Sequence, residues 1–216
     1  MLIERELRQR IPNEEFDYQV LLDVLRHHAR PRDKITKLIK KGVIVRVKKG
    51  LYIFAPDYAR SPYSPEILAN LMYGPSYISL DYALHYYGMI PEKVVTVTSV
   101  TSGKNRVFET PIGRFTYQAV PLAYYRVGID IAEPSKNSSF MIATKEKALA
   151  DKIYQGDSST IRNIRDLESH LTEHLRIDQD SLSQLDHRLM AEIAGQSRSK
   201  KLSLLSEYIK SGQGPA

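Results

Sequence analysis

The residues of this chain that could do chemistry are mainly cations, and they are concentrated in one short stretch. From residue 26 to residue 49 the sequence contains ten Lys or Arg residues and a single acid, Asp33, so the stretch carries +9 while the whole chain carries +6. A concentrated field of one sign attracts polyanions and speeds their capture. The chemistry predicted from these residues is therefore the binding of phosphate groups.

The positions of these side chains on a predicted helix and hairpin assign each a role. On the helix, Thr36, Lys37 and Lys40 are predicted to face base edges in a DNA groove. Four further residues are predicted to neutralise phosphates: Arg30, Arg32, Lys34 and Lys41. Three residues of the hairpin are predicted to contact the backbone or the minor groove: Arg46, Lys48 and Lys49.

The helix that must carry these residues is predicted over Pro31–Lys41. Proline suits the first helical position because its missing N–H would have no partner there. Ile35 and Leu38 share one face, the cations project from the other, and Gly42 supplies the stop. Strands over 43–47 and 51–54 follow, joined by a turn at 48–50. With predicted helices over Leu2–Arg10 and Phe16–Arg26, this order predicts a winged helix-turn-helix.

The remainder of the chain predicts a second domain of mixed structure. The segment Pro56–Pro65 contains three prolines and suggests a linker over residues 57–65, which separates a DNA-binding domain at 1–57 from a domain at 66–216. Strand patterns alternate with a helix capped by Ser79 and a helix over Lys145–Gln155 capped by Thr144. After Gly156 the pattern predicts helices over Thr160–Leu175, Ser181–Ala194 and Ser197–Ile209, followed by a loose tail over Ser211–Ala216. The predicted fold class is α+β with a helical C-terminus.

Composition restricts the function classes further. At 216 residues and 42% hydrophobic content the chain can bury a core, and without cysteine it has neither disulfides nor a Cys-based zinc site. No apolar run reaches the roughly 20 residues of a membrane helix. The sequence therefore predicts a soluble cytoplasmic protein with no membrane partner.

Two later segments carry enzyme-like residues, and both favour a structural interpretation. His170 and His174 have the spacing of an inverted zinc-protease motif, but leucines at 167, 171 and 175 place the segment on an ordinary amphipathic helix. Asp151 follows Lys147 by one turn, a spacing worth a few tenths of a kcal/mol on a helix surface. We predict no catalytic residues, no metal and no cofactor, and hence no enzyme.

Five tyrosines between residues 73 and 87 leave one alternative open. They favour a domain core whose hydroxyls find partners. The rival interpretation is an RNA-binding protein that holds RNA with the basic stretch and stacks these rings on its bases. The exposure of Tyr82 and Tyr86 distinguishes the two.

Three blocks in order resemble the AbiEi-like antitoxins of the type IV toxin–antitoxin systems. The first is the basic helix and hairpin over residues 35–54, and the second is the Tyr-Ile-Ser…Ala-Leu…Gly pattern from Tyr77 to Gly88. The third is the Thr-x-Glu-Lys-Ala-Leu-x-Asp pattern from Thr144 to Asp151. Together the blocks span roughly residues 16–154.

The resemblance implies a function that the residues alone do not give. Proteins of this family have an N-terminal DNA-binding domain and repress their own operon by binding inverted repeats in its promoter. They also counter a nucleotidyltransferase toxin encoded beside them, without a stable complex. Paired repeats are compatible with a homodimer, and a solitary regulator with no toxin remains the other interpretation.

Overall fold

The computed structural model describes residues 3–135, 138–157 and 161–212. The first quarter of the chain alternates helices with a small antiparallel sheet of order β1-β3-β2. Its elements are α1 (Ile3–Arg10), β1 (Glu15–Asp17), α2 (Tyr18–Leu25), α3 (Pro31–Lys40), β2 (Ile44–Lys48) and β3 (Leu51–Phe54). The predicted first helix is present from Ile3, while its first residue, Leu2, lies outside the described residues.

Residues 65–155 form a mixed sheet with helices packed on it. The strand order is β6-β7-β5-β4-β9-β8, with β4–β9 and β5–β7 parallel and the remaining pairs antiparallel. Its strands are β4 (Ser76–Ile78), β5 (Val97–Thr101), β6 (Arg106–Thr110), β7 (Gly113–Ala119), β8 (Ile129–Ser135) and β9 (Ser138–Ala143). Its helices are α4 (Pro65–Met72), α5 (Leu80–Tyr86), α6 (Leu122–Tyr125) and α7 (Lys145–Gln155).

The elements described after α7 are all helical. They form α8 (Ile164–Ser169), a π-helical turn (His170–His174), α9 (Gln179–Ser183), α10 (His187–Gly195) and α11 (Lys200–Gly212). Helices α10 and α11 pack on α7 and thereby extend the core of the large sheet. The prediction of an α+β fold is confirmed. Among the described residues no helix is both long and apolar enough to cross a membrane.

Several predicted boundaries were wrong for local reasons. Phe16 belongs to β1, where its ring lies 4.7 Å from that of Phe54, and Asp17 begins α2 by accepting a hydrogen bond from Val20. The helix expected over 181–194 is two helices, because Asp186 caps α10. The helix expected over 160–175 begins at residue 164, and Thr160 lies outside the described residues. Ser211 continues α11, and the rest of the predicted tail, 213–216, is likewise not described.

Ser79 does not cap α5 as predicted. Its hydroxyl donates elsewhere, and no side-chain hydrogen bond from Ser79 caps the helix. Thr98 on β5 caps the helix instead. Its Oγ1 accepts a hydrogen bond from the Tyr82 backbone N–H at 3.1 Å and donates one to the Ser79 carbonyl at 2.6 Å. A tertiary contact therefore satisfies a helix terminus that the sequence assigned to a local cap.

The small sheet is buried on both faces. Ile44, Tyr52 and Phe54 face the core formed with α1, α2 and α3. Val47, Leu51 and Ile53 belong to the larger core of the second sheet, as strand alternation requires. The segment predicted as a linker is also held, since the Arg60 N–H donates to Glu14 at 3.2 Å and the Ser64 N–H donates to Glu15.

Candidate nucleic-acid interface

Helix α3 is positioned by a buried face and by well-defined ends. Pro31 occupies the first turn, and Ile35 and Leu38 are buried in the smaller core. At the other end Gly42 adopts φ +67°, and the Val43 N–H reaches back to the Leu38 carbonyl at 3.0 Å. This left-handed closing geometry favours glycine and ends the helix as predicted. The opposite face of α3 therefore points outward in a fixed orientation.

The exposed face of α3 lines an open groove of about 570 Å³. Five predicted site residues line it: Arg30, Lys34, Thr36, Lys37 and Lys40. Asp33 is also in the lining, so the groove is not uniformly positive. The Thr36 hydroxyl donates back to the Arg32 carbonyl at 3.2 Å, which orients its side chain along the helix.

Two further cations of this segment lie outside the groove lining. Arg32 is exposed on the first turn of α3. Lys41 is exposed as well, but its Nζ lies 3.3 Å from the Glu4 carboxylate, which offsets part of its charge. The pKa of Glu4 is lowered by a backbone hydrogen bond and also by Lys41. Both cations flank the groove instead of forming it.

The hairpin β2–β3 separates its cations through a β-bulge. Arg46 lies opposite Tyr52, whereas Lys48 lies opposite Leu51, so the register shifts between the two cations. An extra residue in one strand reverses the alternation of side chains. Arg46 is therefore exposed on the face of the sheet that bears the helices, and Lys48 lies on the opposite face.

The structure corrects the assignment of Lys48 to the wing surface. Its ammonium group donates to the Met72 carbonyl and lies 5.3 Å from the centroid of the Phe108 ring. Burial lowers the pKa of Lys48. Lys49, at the turn, is exposed. Of the three predicted wing residues, Arg46 and Lys49 thus remain accessible to a ligand.

The second sheet contains a buried ionic cluster that the sequence predicted as a helix-surface pair. Lys147 and Asp151 are both fully buried, with Nζ and Oδ1 3.2 Å apart. Tyr77 and Ser79 donate to the other carboxylate oxygen at 3.0 and 2.6 Å. The Lys147 ammonium donates to the Tyr124 carbonyl at 2.8 Å and lies 3.1 Å from the centre of that ring.

Burial pushes both charges of this cluster toward neutrality. The pKa of Lys147 is lowered to about 8 by burial, against the opposing effect of Asp151. Burial likewise raises the pKa of Asp151. The sequence signal for the cluster was the apolar run Ala148-Leu149-Ala150 between the two charged residues. These three side chains surround α7 with apolar groups at this turn, so Lys147 and Asp151 do not lie on a polar face of the helix. Both charges are fully buried among their hydrogen-bond partners, so we assign the cluster a structural role.

The histidine motif and the tyrosines occupy structural positions. The His170 and His174 rings stack with centroids 5.5 Å apart, and within the described ranges no three acidic or histidine side chains are arranged to hold a metal. Tyr82 is half-buried and donates to Glu66 at 2.6 Å, while Tyr86 is 44% exposed. Tyr87 donates to the Ala143 carbonyl at 2.8 Å. The cluster therefore packs mainly as core.

Comparison with known proteins establishes a shared fold. No protein-family model matches the chain, and no curated protein matches it. Among solved structures it is similar to the RV2827C protein from Mycobacterium tuberculosis, with a TM-score of 0.62 and 14% sequence identity. The similarity covers 99% of this chain and 76% of that chain. At this identity the match describes the fold alone, an α+β architecture shared along nearly the whole chain.

Proposed function

We propose that this protein binds duplex DNA through α3 and the adjoining hairpin and represses transcription. The order α1-β1-α2-α3-β2-β3, with one three-stranded antiparallel sheet, supports this proposal because it is the order of a winged helix-turn-helix. In such domains one helix enters the major groove and the hairpin lies beside it. Repression would follow from occlusion of polymerase at a promoter, with paired half-sites occupied by two copies of the chain.

One observation carries the proposal, namely the cationic groove on the exposed face of a rigidly positioned helix. Arg30, Lys34, Lys37 and Lys40 line it together, while the opposite face of α3 is buried. Three of these cations lie on a fixed helix and Arg30 directly precedes it, so they can bind phosphates without the entropic cost of ordering a loop. Arg46 and Lys49 lie exposed on the adjoining hairpin.

The resemblance to AbiEi-like antitoxins extends the proposal to an operon. We infer that the DNA sites are repeats in the promoter of the protein's own gene. We infer further that the chain counters a nucleotidyltransferase toxin encoded beside it. Co-expression tests the second part: growth arrested by the neighbouring nucleotidyltransferase should recover with this protein, and unrelieved arrest would leave a solitary regulator.

A salt series tests DNA binding itself. If six to ten phosphates are neutralised, the affinity for a duplex from the region upstream of the gene should fall by about 10³ to 10⁵ between 50 and 200 mM salt. Lys37→Ala/Lys40→Ala should weaken binding and flatten this dependence. The control Lys93→Ala/Lys210→Ala removes the same charge from exposed positions of the second domain. A flat wild-type response, or equal loss in both variants, would refute the proposal.

A structured RNA of equal length at matched salt tests the rival function. The tyrosine packing offers little support for base stacking, because Tyr86 is exposed and the other four rings are buried or partly buried. We expect the RNA to compete poorly with the duplex. Preference for the RNA over the duplex would overturn the DNA-binding proposal in favour of that alternative.

A further inference from the structure

A second group of cations lies on the large sheet, close to the hairpin. The turn between β5 and β6 together with the first residue of β6 (residues 102–106, called the basic turn) carries Lys104 and Arg106, and both side chains are exposed. Among the described residues neither forms an ion pair with a carboxylate. Arg114, on the neighbouring strand, differs because its guanidinium lies 3.1 Å from the Glu109 carboxylate. The turn thus presents two positive charges that no carboxylate among the described residues offsets, and Arg106 also interacts with the Tyr73 hydroxyl.

The turn is held in place by hydrogen bonds at three points. The Gly103 N–H donates to Thr101 Oγ1 and the Lys104 N–H donates to the Tyr73 hydroxyl, both at 3.0 Å. At its end, the Asn105 side chain accepts from the Ala119 N–H at 2.6 Å. A Cβ at Gly103 would lie 2.7 Å from the Tyr73 hydroxyl, so this close approach requires glycine. The backbone of the turn is therefore fixed by its surroundings.

Aromatic packing connects this turn to the hairpin. The Lys48 ammonium lies 5.3 Å from the Phe108 ring centroid, and the Phe108 and Tyr73 ring centroids are 6.3 Å apart. Phe108 and Arg106 are two residues apart on β6 and so share a face, about 7 Å from each other along the strand. The inward-facing Lys48, the last residue of β2 before the wing turn, thus joins the hairpin to the strand that begins with Arg106.

We propose that the turn over residues 102–106 is a second anchor for the DNA backbone, with Lys104 and Arg106 binding phosphates next to those bound by the wing. This inference rests on the proposed DNA-binding function and extends the interface onto the second domain. Phosphates of one DNA strand recur every ~3.4 Å along the duplex axis. A DNA strand that is bound by the wing turn therefore presents further phosphates to Lys104 and Arg106. The protein would then contact DNA beyond the helix and wing.

The salt dependence of binding tests the anchor. With a mixed-sequence 40-base-pair duplex, Lys104→Ala/Arg106→Ala should reduce the slope of log affinity against log salt by about 1.8, or ~0.9 per phosphate. Wild-type protein should therefore lose about 12-fold more affinity than the variant between 50 and 200 mM salt. The charge-matched control is Lys93→Ala/Lys210→Ala, and it should retain the wild-type slope.

The outcomes separate this inference from the proposed function. A flat wild-type slope refutes DNA binding and with it the anchor. A steep wild-type slope that is unchanged in Lys104→Ala/Arg106→Ala refutes the anchor alone. Equal flattening in the control variant also refutes it, because the effect would then reflect net charge.

Backbone footprinting gives a second measurement. Hydroxyl-radical protection should shorten at one flank of the site in Lys104→Ala/Arg106→Ala, while protection by α3 remains. Arg106 begins the edge strand β6 and Lys104 lies just before it, where cations discourage pairing with another sheet. If that were their role, the footprint would stay intact and the variant would aggregate, which contradicts the anchor.

Discussion

At the scale of single residues, burial decides what a charge does. Lys37 and Lys147 are both lysines on helices, yet one is exposed in a groove and the other is fully enclosed. An exposed cation is free to bind phosphate, whereas an enclosed one must be neutralised by its surroundings. The functional and the structural lysines of this chain therefore differ in environment and not in type.

Removing one partner of the buried pair should be costly. Asp151→Asn leaves the Lys147 ammonium enclosed without its carboxylate, so we expect the free energy of unfolding to fall by about 3 to 5 kcal/mol. Lys147→Met/Asp151→Asn should cost less than the two single changes added together, with a coupling of about 0.5 to 3 kcal/mol. Urea unfolding of the wild type, the two single variants Lys147→Met and Asp151→Asn, and the double variant measures this coupling. Strict additivity would show that the pair is not coupled.

The pH dependence of stability should also reveal Lys147. Its folded-state pKa of about 8 lies below the ordinary value of 10.5 for a solvent-exposed lysine, so between these values the unfolded chain binds more protons. The free energy of unfolding should then rise with pH across that window, by at most about 1.4 kcal/mol per pH unit. Lys147→Met lacks this contribution, so the wild-type advantage should grow from pH 8 to pH 10. A constant difference would contradict the lowered pKa.

Variants of Lys48 and Lys49 test whether the bulge turns Lys48 inward and leaves Lys49 exposed. Because Lys48 is turned inward onto Phe108, Lys48→Met should keep the packing of its stem and leave the salt slope of DNA binding unchanged. Lys49→Ala removes an exposed charge and should lower that slope by ~0.9 if it contacts one phosphate. Anisotropy titrations at several salt concentrations measure both. A larger effect at Lys48 would place its ammonium outside the protein.

At the scale of elements, α3 and α7 were predictable because their signals are local. Pro31, the amphipathic face and Gly42 define α3, and Thr144 caps α7 by accepting from the Lys147 N–H at 3.2 Å. Strands β1 and β4 were missed because each has three residues, too few to show a side-chain alternation. They form through pairing, β1 with β3 and β4 with both β5 and β9. Short strands of this kind are stabilised by partners that are distant in sequence.

Gly42 provides a prediction for the end of α3. Gly42→Ala should lower the free energy of unfolding by about 1 to 2 kcal/mol, because φ +67° is unfavourable for a residue with a Cβ. No atom lies within 4 Å of that added Cβ, so the cost would be conformational. Gly195, the last residue of α10, is equally open but is not left-handed. Gly195→Ala should therefore be neutral or stabilise by up to about 1 kcal/mol, and equal losses at both sites in urea unfolding would contradict this account.

At the scale of the whole molecule, the two parts share a core. Val47, Leu51 and Ile53 belong to the small sheet but pack in the large cluster with residues such as Leu68 and Tyr117. Side chains that belong to both parts couple their stabilities. The orientation of α3 relative to the second sheet is thereby fixed, which is what a second DNA anchor at residues 102–106 requires.

The shared core predicts a single unfolding transition. Far-UV circular dichroism and tyrosine fluorescence should report the same thermal midpoint. Leu38→Ala, a change at a buried position of the smaller core, should lower that midpoint for both probes at a cost of about 2 to 5 kcal/mol. The exposed neighbour Lys37→Ala should stay within about 0.5 kcal/mol of wild type. Two separate midpoints would show that the parts unfold independently.

The sequence by itself determined the α+β class, the basic helix with its two ends, and the capped helix α7. These features depend on the periodicity of apolar side chains and on residues a few positions apart, and both can be read from the sequence. The tertiary structure alone decided that Lys48 turns inward, that Thr98 replaces Ser79 as a cap, and that Lys147 and Asp151 are enclosed. Each of these depends on a register shift or on packing between residues far apart in the chain, because burial is a property of the neighbours that folding brings together.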